Sequence, residues 1–163
     1  MDHRFDFSEE EWNQLLKASE MTAFYISLAS PSGMMGIIKE MMAATNEVVA
    51  AIRKTSGNSL VDELAADIKQ RVDQGLRLES PVLTGSADDA RDQCLQYFRD
   101  ISALVTVKAP EEADGFKKWL LDVARKSAEA AREGGFLGIG GEKVNEAEQA
   151  ALNELSKTLG VSV

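Results

Sequence analysis

Side chains that could carry out chemistry are few in this chain. It has one histidine, His3, and one cysteine, Cys94. A serine or cysteine nucleophile needs a base within hydrogen-bond reach, and di-iron chemistry on a helical bundle needs Glu-x-x-His pairs. Because His3 lies in an N-terminal lead-in (residues 1–7), we expect it to pair with no nucleophile, unless the lead-in folds back over Cys94. The sequence therefore predicts no catalytic residue and no enzymatic activity.

The other reactive groups have structural explanations. A lone cysteine excludes an internal disulfide and a thiolate metal cluster. Cys94 also follows an apolar rhythm with Tyr97, Phe98 and Ile101, which is typical of a buried helix face. Three aspartates form an acidic cluster at the start of a predicted helix: Asp88, Asp89 and Asp92. Such a cluster could serve acid–base catalysis, but acids are also favoured electrostatically in a first helical turn, and we favour that interpretation.

A methionine-rich stripe is the most unusual apolar feature. Thioethers can bind Cu(I), but methionine at helical spacing beside isoleucine is more typical of core filling. A third alternative is a pliable apolar groove or subunit seam, because methionine repacks around varied partners. The residues of this stripe that we predict for binding are Met34, Ile38, Met41 and Met42. No cofactor is predicted.

A glycine-rich loop (residues 134–144) separates the last two predicted helices. It is not a Walker loop, because Lys143 has no hydroxyl residue after it and a helix precedes it. It also lacks the βαβ unit of a dinucleotide site. Its apolar side chains lock the last two helices together if buried, or mark a partner site if exposed; we favour burial. These predicted binding residues are Phe136, Leu137 and Ile139.

The loop can also be compared with a calcium-binding loop. With Glu148 at the twelfth position, Val144 and Asn145 take the eighth and ninth positions, as in a calcium hand. The early ligand positions then fall on Leu137, Ile139 and Gly141, which offer no side-chain oxygen. The pattern favours a capped helix start, and Glu148 is only a weak candidate metal ligand.

Helix signals recur along the chain, and strand signals do not. Ser8 with Glu11 forms a capping box, and Phe7 can pack on Trp12 as a hydrophobic staple. The same spacing predicts that Ser59 with Asp62 and Ser86 with Asp89 cap the starts of two later helices. We predict six helices, over about 8–29, about 31–55, from Ser59 to Gly75, from Ser86, from Pro110 to Gly134, and from Asn145 to Gly160. Residues 79–86 form the main linker. The sequence predicts one all-α domain over residues 1–163, a bundle of about six helices without a β-sheet.

The composition of the chain limits the classes of molecule that the protein can bind. The formal net charge is −9, which repels phosphate backbones and anionic lipid, and no basic cluster opposes it. We therefore expect no nucleic-acid binding. The start of the chain lacks the apolar core of a signal peptide, and no apolar run is long enough for a membrane span. The sequence predicts a cytoplasmic protein.

The tail from Gly140 to Gly160 carries a family resemblance. Its run Gly-Gly-Glu-Lys-Val-Asn-Glu-Ala-Glu, followed by an apolar helix ending Leu-Gly, resembles the closing segment of tellurite-resistance TerB-type helical domains. The resemblance covers about 25 residues and implies an all-α fold. The acidic residue proposed to bind metal in that family is replaced here by Gly140, and only Glu148 matches. The glycine-rich string is also similar to the tails of small uncharacterised bacterial proteins.

These observations favour a protein that acts by binding. The leading hypothesis is a protein-interaction or stress-associated accessory module that self-associates through an apolar helix face. One alternative is a binder of an apolar small molecule, held between the methionine-rich helix and the Phe136–Ile139 loop. Another is a degenerate TerB-like metal-responsive domain, which depends on Glu148.

Overall fold

The structure is a computed structural model that describes residues 2–29, 57–76, 82–133 and 146–162. A 3₁₀ helix (His3–Asp6) precedes six α-helices in these ranges. They are α1 (Glu9–Leu16), α2 (Ala18–Ala29), α3 (Ser59–Asp73), α4 (Ala87–Lys108), α5 (Pro110–Glu133) and α6 (Glu146–Leu159). The described ranges contain no strand, so the predicted all-α bundle is confirmed.

The helix starts follow from local hydrogen bonds. The predicted capping box at α1 is present, because the Ser8 hydroxyl accepts from the Glu11 N–H and the Glu11 carboxylate accepts from the Ser8 N–H. Phe7 packs on Trp12 with ring centroids 6.0 Å apart, which confirms the staple. Ser86 and Asp89 form the second predicted capping box, at α4.

Two local predictions are wrong. The helix predicted over 8–29 is interrupted at Lys17, because the Lys17 N–H bonds to the carbonyl of Gln14, three residues back, instead of four. The cap of α3 is Asn58, whose side chain accepts from the Val61 N–H at 3.0 Å. Ser59, the predicted cap, is instead the first residue of the helix.

Helix α2 packs against α4, α5 and α6, and these three also pack against one another, while α3 packs on α5 and on the N-terminal elements. The predicted apolar faces supply this core. Phe98, Ile101, Phe116, Leu120 and Leu155 are fully buried. On α4, Tyr97 and Leu104 are only partly buried, and Leu95 and Val105 are buried beside the predicted face.

Several predictions fall on residues that the structure does not describe. They are the helix over 31–55 and the candidate binding residues Met34, Ile38, Met41, Met42, Phe136, Leu137 and Ile139. Within the described ranges, no helix has the length and apolar character to cross a membrane.

Candidate functional site

The site is a polar cluster where the 3₁₀ helix meets the first turns of α3 and α5. We call it the N-terminal polar cluster and define it as His3, Asp6, Ser59, Glu63 and Glu112. The 3₁₀ helix that positions His3 is capped by Asp2, whose carboxylate accepts from the Arg4 N–H at 3.2 Å. His3 is 1% exposed. The only histidine of the chain is therefore enclosed by its own fold.

Glu63 holds the backbone of this segment against α3. Its Oε1 atom accepts from the His3 N–H at 3.1 Å, and its Oε2 atom accepts from the Arg4 N–H at 3.1 Å. Hydrogen bonds to a charged acceptor are stronger than neutral ones. The first N–H groups of the 3₁₀ helix, which have no acceptor within a helix, thus both have Glu63 as an acceptor, and Arg4 shares its N–H between Glu63 and Asp2.

The imidazole of His3 has a partner on each nitrogen. Nδ1 lies 3.2 Å from Oδ2 of Asp6, and Nε2 lies 2.9 Å from Oγ of Ser59. Nε2 also lies 3.7 Å from Oε1 of Glu112. A serine, an imidazole and a carboxylate in this order are the groups of a serine nucleophile, its base and the residue that orients the base.

Glu112 binds the same serine from the other side. The Ser59 hydroxyl donates to Oε1 of Glu112 at 2.6 Å, and the Ser59 N–H donates to Oε2 at 3.1 Å. Glu112 lies in the first turn of α5 and faces the first turn of α3, whose N–H groups favour a negative charge. This carboxylate therefore fixes Ser59 and compensates the positive end of α3.

Asn58 and Gly115 allow the close approach of α3 and α5. Besides capping α3, Asn58 donates from Nδ2 to the carbonyl of Glu112 at 2.9 Å. Gly115 faces this amide, and a Cβ atom at position 115 would overlap the Asn58 side chain. No sequence pattern singles out Gly115, because the need for glycine there comes from Asn58, 57 positions earlier in the chain.

The hydroxyl hydrogen of Ser59 can go to only one acceptor at a time. When Glu112 accepts it, His3 must carry a hydrogen on Nε2 to donate to Oγ, and a hydrogen on Nδ1 to donate to Asp6. When His3 accepts it, Nε2 is bare and Nδ1 still donates to Asp6. The cluster thus has two hydrogen-bond arrangements, which differ in the acceptor of the Ser59 hydrogen and in whether Nε2 of His3 carries a hydrogen.

The expectation that His3 pairs with no serine or cysteine is wrong, since the structure places it beside the Ser59 hydroxyl. It does not pair with Cys94, because both ring nitrogens are bonded elsewhere. Cys94 is fully buried on α4, as predicted, and burial raises the pKa of its thiol to about 12. A thiol with so high a pKa has little of the thiolate that nucleophilic attack requires.

The other candidate residues are separate from this cluster. Asp89 serves the capping box of α4, where hydrogen bonds from the Ser86 N–H and hydroxyl lower its pKa, so the helix-start interpretation holds for it. Glu148 is 2% exposed in the first turn of α6. No group of three or more His, Cys, Asp or Glu side chains within the four described ranges could hold a metal ion.

Comparisons with protein-family models, with curated proteins and with solved structures give no match. The resemblance of the tail to TerB-type domains therefore stays a prediction from the sequence.

Proposed function

We propose that the protein is an accessory interaction module that acts by binding another protein chain, with a second copy of itself as the first partner to test. Support comes from two large apolar side chains that the fold leaves in solvent. Phe5 is 84% exposed and Val107 is 79% exposed. Exposed apolar side chains that lie near one another are a feature of association surfaces.

These two residues flank one packed contact. Phe7, two residues after Phe5, is buried. The ammonium group of Lys108, next to Val107, lies 5.8 Å from the centre of the Phe7 ring and 2.6 Å from Oε2 of Glu11. The contact brings the end of α4, which carries Val107, to the start of the chain, which carries Phe5. A partner helix that covered both would remove their apolar area from water.

Sedimentation velocity tests the proposal. We expect the native protein to sediment as a dimer at micromolar concentration, and the double substitution Phe5→Ser with Val107→Ser to sediment as a monomer. Val82 provides the matched control, because it is 87% exposed and precedes α4, whose 22 residues span about 33 Å. A native protein that stays monomeric, or a Val82→Ser variant that dissociates equally, would contradict self-association through this surface.

The methionine-rich stripe remains a second predicted interface. Substitution by serine of Met41 and of Val48, which continues the predicted stripe seven positions later, tests it in the same sedimentation experiment. Loss of the dimer in that variant alone would assign the interface to the stripe and exclude the Phe5–Val107 surface.

One observation favours the small-molecule alternative. Trp119 on α5 is 3% exposed, and its indole N–H has no hydrogen-bond acceptor in the described part of the chain. A buried donor without an acceptor lowers stability, and a ligand carrying an oxygen acceptor would satisfy it. Native mass spectrometry of the purified protein tests this: a retained mass that is lost in Trp119→Phe supports a ligand, and the mass of the bare chain contradicts it.

A further inference from the structure

Three serines cap or begin helices in the described ranges, and only one of them lies near a histidine. Ser8 caps α1 and Ser86 caps α4, each with an acidic partner three residues later. The hydroxyl of Ser86 donates to Oδ2 of Asp89 at 2.7 Å, much as that of Ser59 donates to Glu112. Ser59 alone of the three has an imidazole within hydrogen-bond distance. The chain therefore contains its own comparison for the effect of a histidine on a helix-start serine.

We propose that Ser59 is a nucleophile that takes an acyl or phosphonyl group from an activated donor, with His3 as its base and Asp6 as the residue that orients the base. This inference is independent of the association proposed above. Ser59 is partly exposed, whereas His3 beside it is buried. The residue that would be acylated thus has contact with solvent, while its base is shielded from water.

The reaction with an activated ester or thioester balances without any further reagent. The Ser59 oxygen forms a bond to the acyl carbon, and the O–H bond breaks as the hydrogen passes to Nε2 of His3. The bond from the acyl carbon to the leaving oxygen or sulfur breaks, and the hydrogen on His3 passes to that atom. The products are acylated Ser59 and a free alcohol or thiol. Asp6 keeps Nδ1 as the donor nitrogen, so that Nε2 can accept.

Glu112 determines the resting arrangement. Its 2.6 Å bond to the hydroxyl is shorter than the 2.9 Å distance from the hydroxyl to His3, so the hydrogen rests on the side of the carboxylate. Reaction requires Nε2 of His3 to be without a hydrogen and the Ser59 hydrogen to turn toward it. We therefore expect Glu112→Gln, whose neutral amide is a weaker acceptor, to react faster than the native protein.

The site favours a single modification of Ser59 over repeated catalytic turnover. A catalytic serine needs N–H donors at the developing oxyanion, and loss of one such donor lowers the rate about 10²–10³-fold. The Ser59 N–H is bonded to Glu112 and the Val61 N–H to Asn58. Leu60, between them, is fully buried. These three N–H groups are not open to a substrate, so they cannot stabilise an oxyanion. We therefore expect Ser59 to react with activated donors, which carry a good leaving group.

A fluorophosphonate probe followed by peptide mapping in a mass spectrometer tests the proposal on the full chain. With this probe the Ser59 oxygen bonds to phosphorus, the P–F bond breaks, and fluoride takes up the hydrogen that passed to His3. We expect labelling of Ser59 at least ten times faster than labelling of Ser86 or Ser8 in the same molecules. Ser86→Ala should leave the rate at Ser59 unchanged. Equal rates at the three serines, or no label on Ser59, would overturn the proposal.

Two variants separate the role of the base from a structural role. His3→Ala should slow labelling of Ser59 at least ten-fold, and added free imidazole should restore it, which a merely misfolded variant would not show. Asp6→Asn, at a partly exposed position, should lower the maximal labelling rate several-fold and leave the probe concentration for half-maximal rate unchanged. No rescue by imidazole, or slower labelling in Glu112→Gln, would show that His3 is not the base.

Discussion

Nε2 of His3 lies 2.9 Å from Oγ of Ser59, although 56 positions separate the two residues in the chain. The contact joins the first turn of the protein to the first turn of α3. With the two bonds that Glu63 accepts from the backbone of His3 and Arg4, it makes the segment before α1 an integral part of the bundle. The only imidazole of the protein is held by side chains from two further helices.

The first prediction concerns Glu63→Ala. Loss of this carboxylate leaves the His3 N–H without its acceptor and the Arg4 N–H with Asp2 alone. We expect the free energy of unfolding to fall by about 1–2 kcal/mol, since Glu63 is partly exposed. Urea denaturation measures the loss, and amide hydrogen exchange should show faster exchange at His3 and Arg4. Gln70→Ala, at an exposed position of the same helix, is the control. Unchanged exchange at His3 would contradict the assigned role of Glu63.

The second prediction concerns Gly115→Ala. Alanine favours a helix by about 1 kcal/mol over glycine, but its Cβ atom would displace the buried Asn58 side chain, which caps α3 and binds the Glu112 carbonyl. Overpacking and loss of the cap outweigh the gain, so we expect a net loss of about 1–2 kcal/mol.

Thermal unfolding measures this effect, and Asp114→Ala, at the exposed neighbouring position of α5, is its control. That variant should be neutral or slightly more stable. If Gly115→Ala were also more stable than the native protein, the close approach of α3 and α5 would be disproved.

The third prediction is a pH dependence that Glu154 introduces. Its carboxylate accepts from the Tyr25 hydroxyl and from Arg91, each at 2.6 Å, and so links α2, α4 and α6. Partial burial raises the pKa of Glu154, but the bonds from Tyr25 and Arg91 outweigh it and lower that pKa below the ordinary value of 4.5.

A carboxyl group whose pKa is lower in the folded chain stabilises the fold above its unfolded pKa, and this contribution is lost as the pH falls through the folded pKa. We therefore expect Glu154→Gln to reduce stability at pH 7 by less than about 1 kcal/mol, because the pair is partly exposed. The difference should vanish toward pH 2. Denaturation from pH 7 to 2 measures it, with Glu146→Gln, exposed on the same helix, as the control; a pH-independent difference would be the contrary result.

The fourth prediction is that Cys94 does not react in the folded protein. Its thiol is buried and has a pKa of about 12, so alkylation at pH 8 should be at least about 100-fold slower than in urea. A variant with Val82→Cys and Cys94→Ser, which moves the thiol to an exposed position, should react as fast as the unfolded chain. Rapid alkylation of native Cys94 would show that the core opens around α4.

The predictions that depend on residues close together in the sequence are confirmed at α1 and α4. The capping boxes of Ser8 and Ser86 and the Phe7–Trp12 staple were predicted and are present. Gly160 also ends α6 as predicted, with φ +71°. These contacts join residues three to five positions apart, which a helix start brings together whatever the rest of the chain does.

The cap of α3 shows where such patterns stop being sufficient. Asn58 and Ser59 are both good capping residues, so the local sequence did not distinguish them. The choice depends on Glu112, which binds the hydroxyl and the N–H of Ser59 and, through its carbonyl, the amide of Asn58. These bonds join residues 53 and 54 positions apart, and they form only when α3 packs on α5.

Helical periodicity and capping are properties of neighbouring residues, so the amino-acid sequence predicts the all-α bundle, the starts of α1 and α4 and most of the buried apolar faces. Which serine meets the single histidine depends on how the helices pack in three dimensions. His3, Ser59 and Glu112 come from three elements, and their distances depend on how those elements pack, which no spacing along the chain encodes.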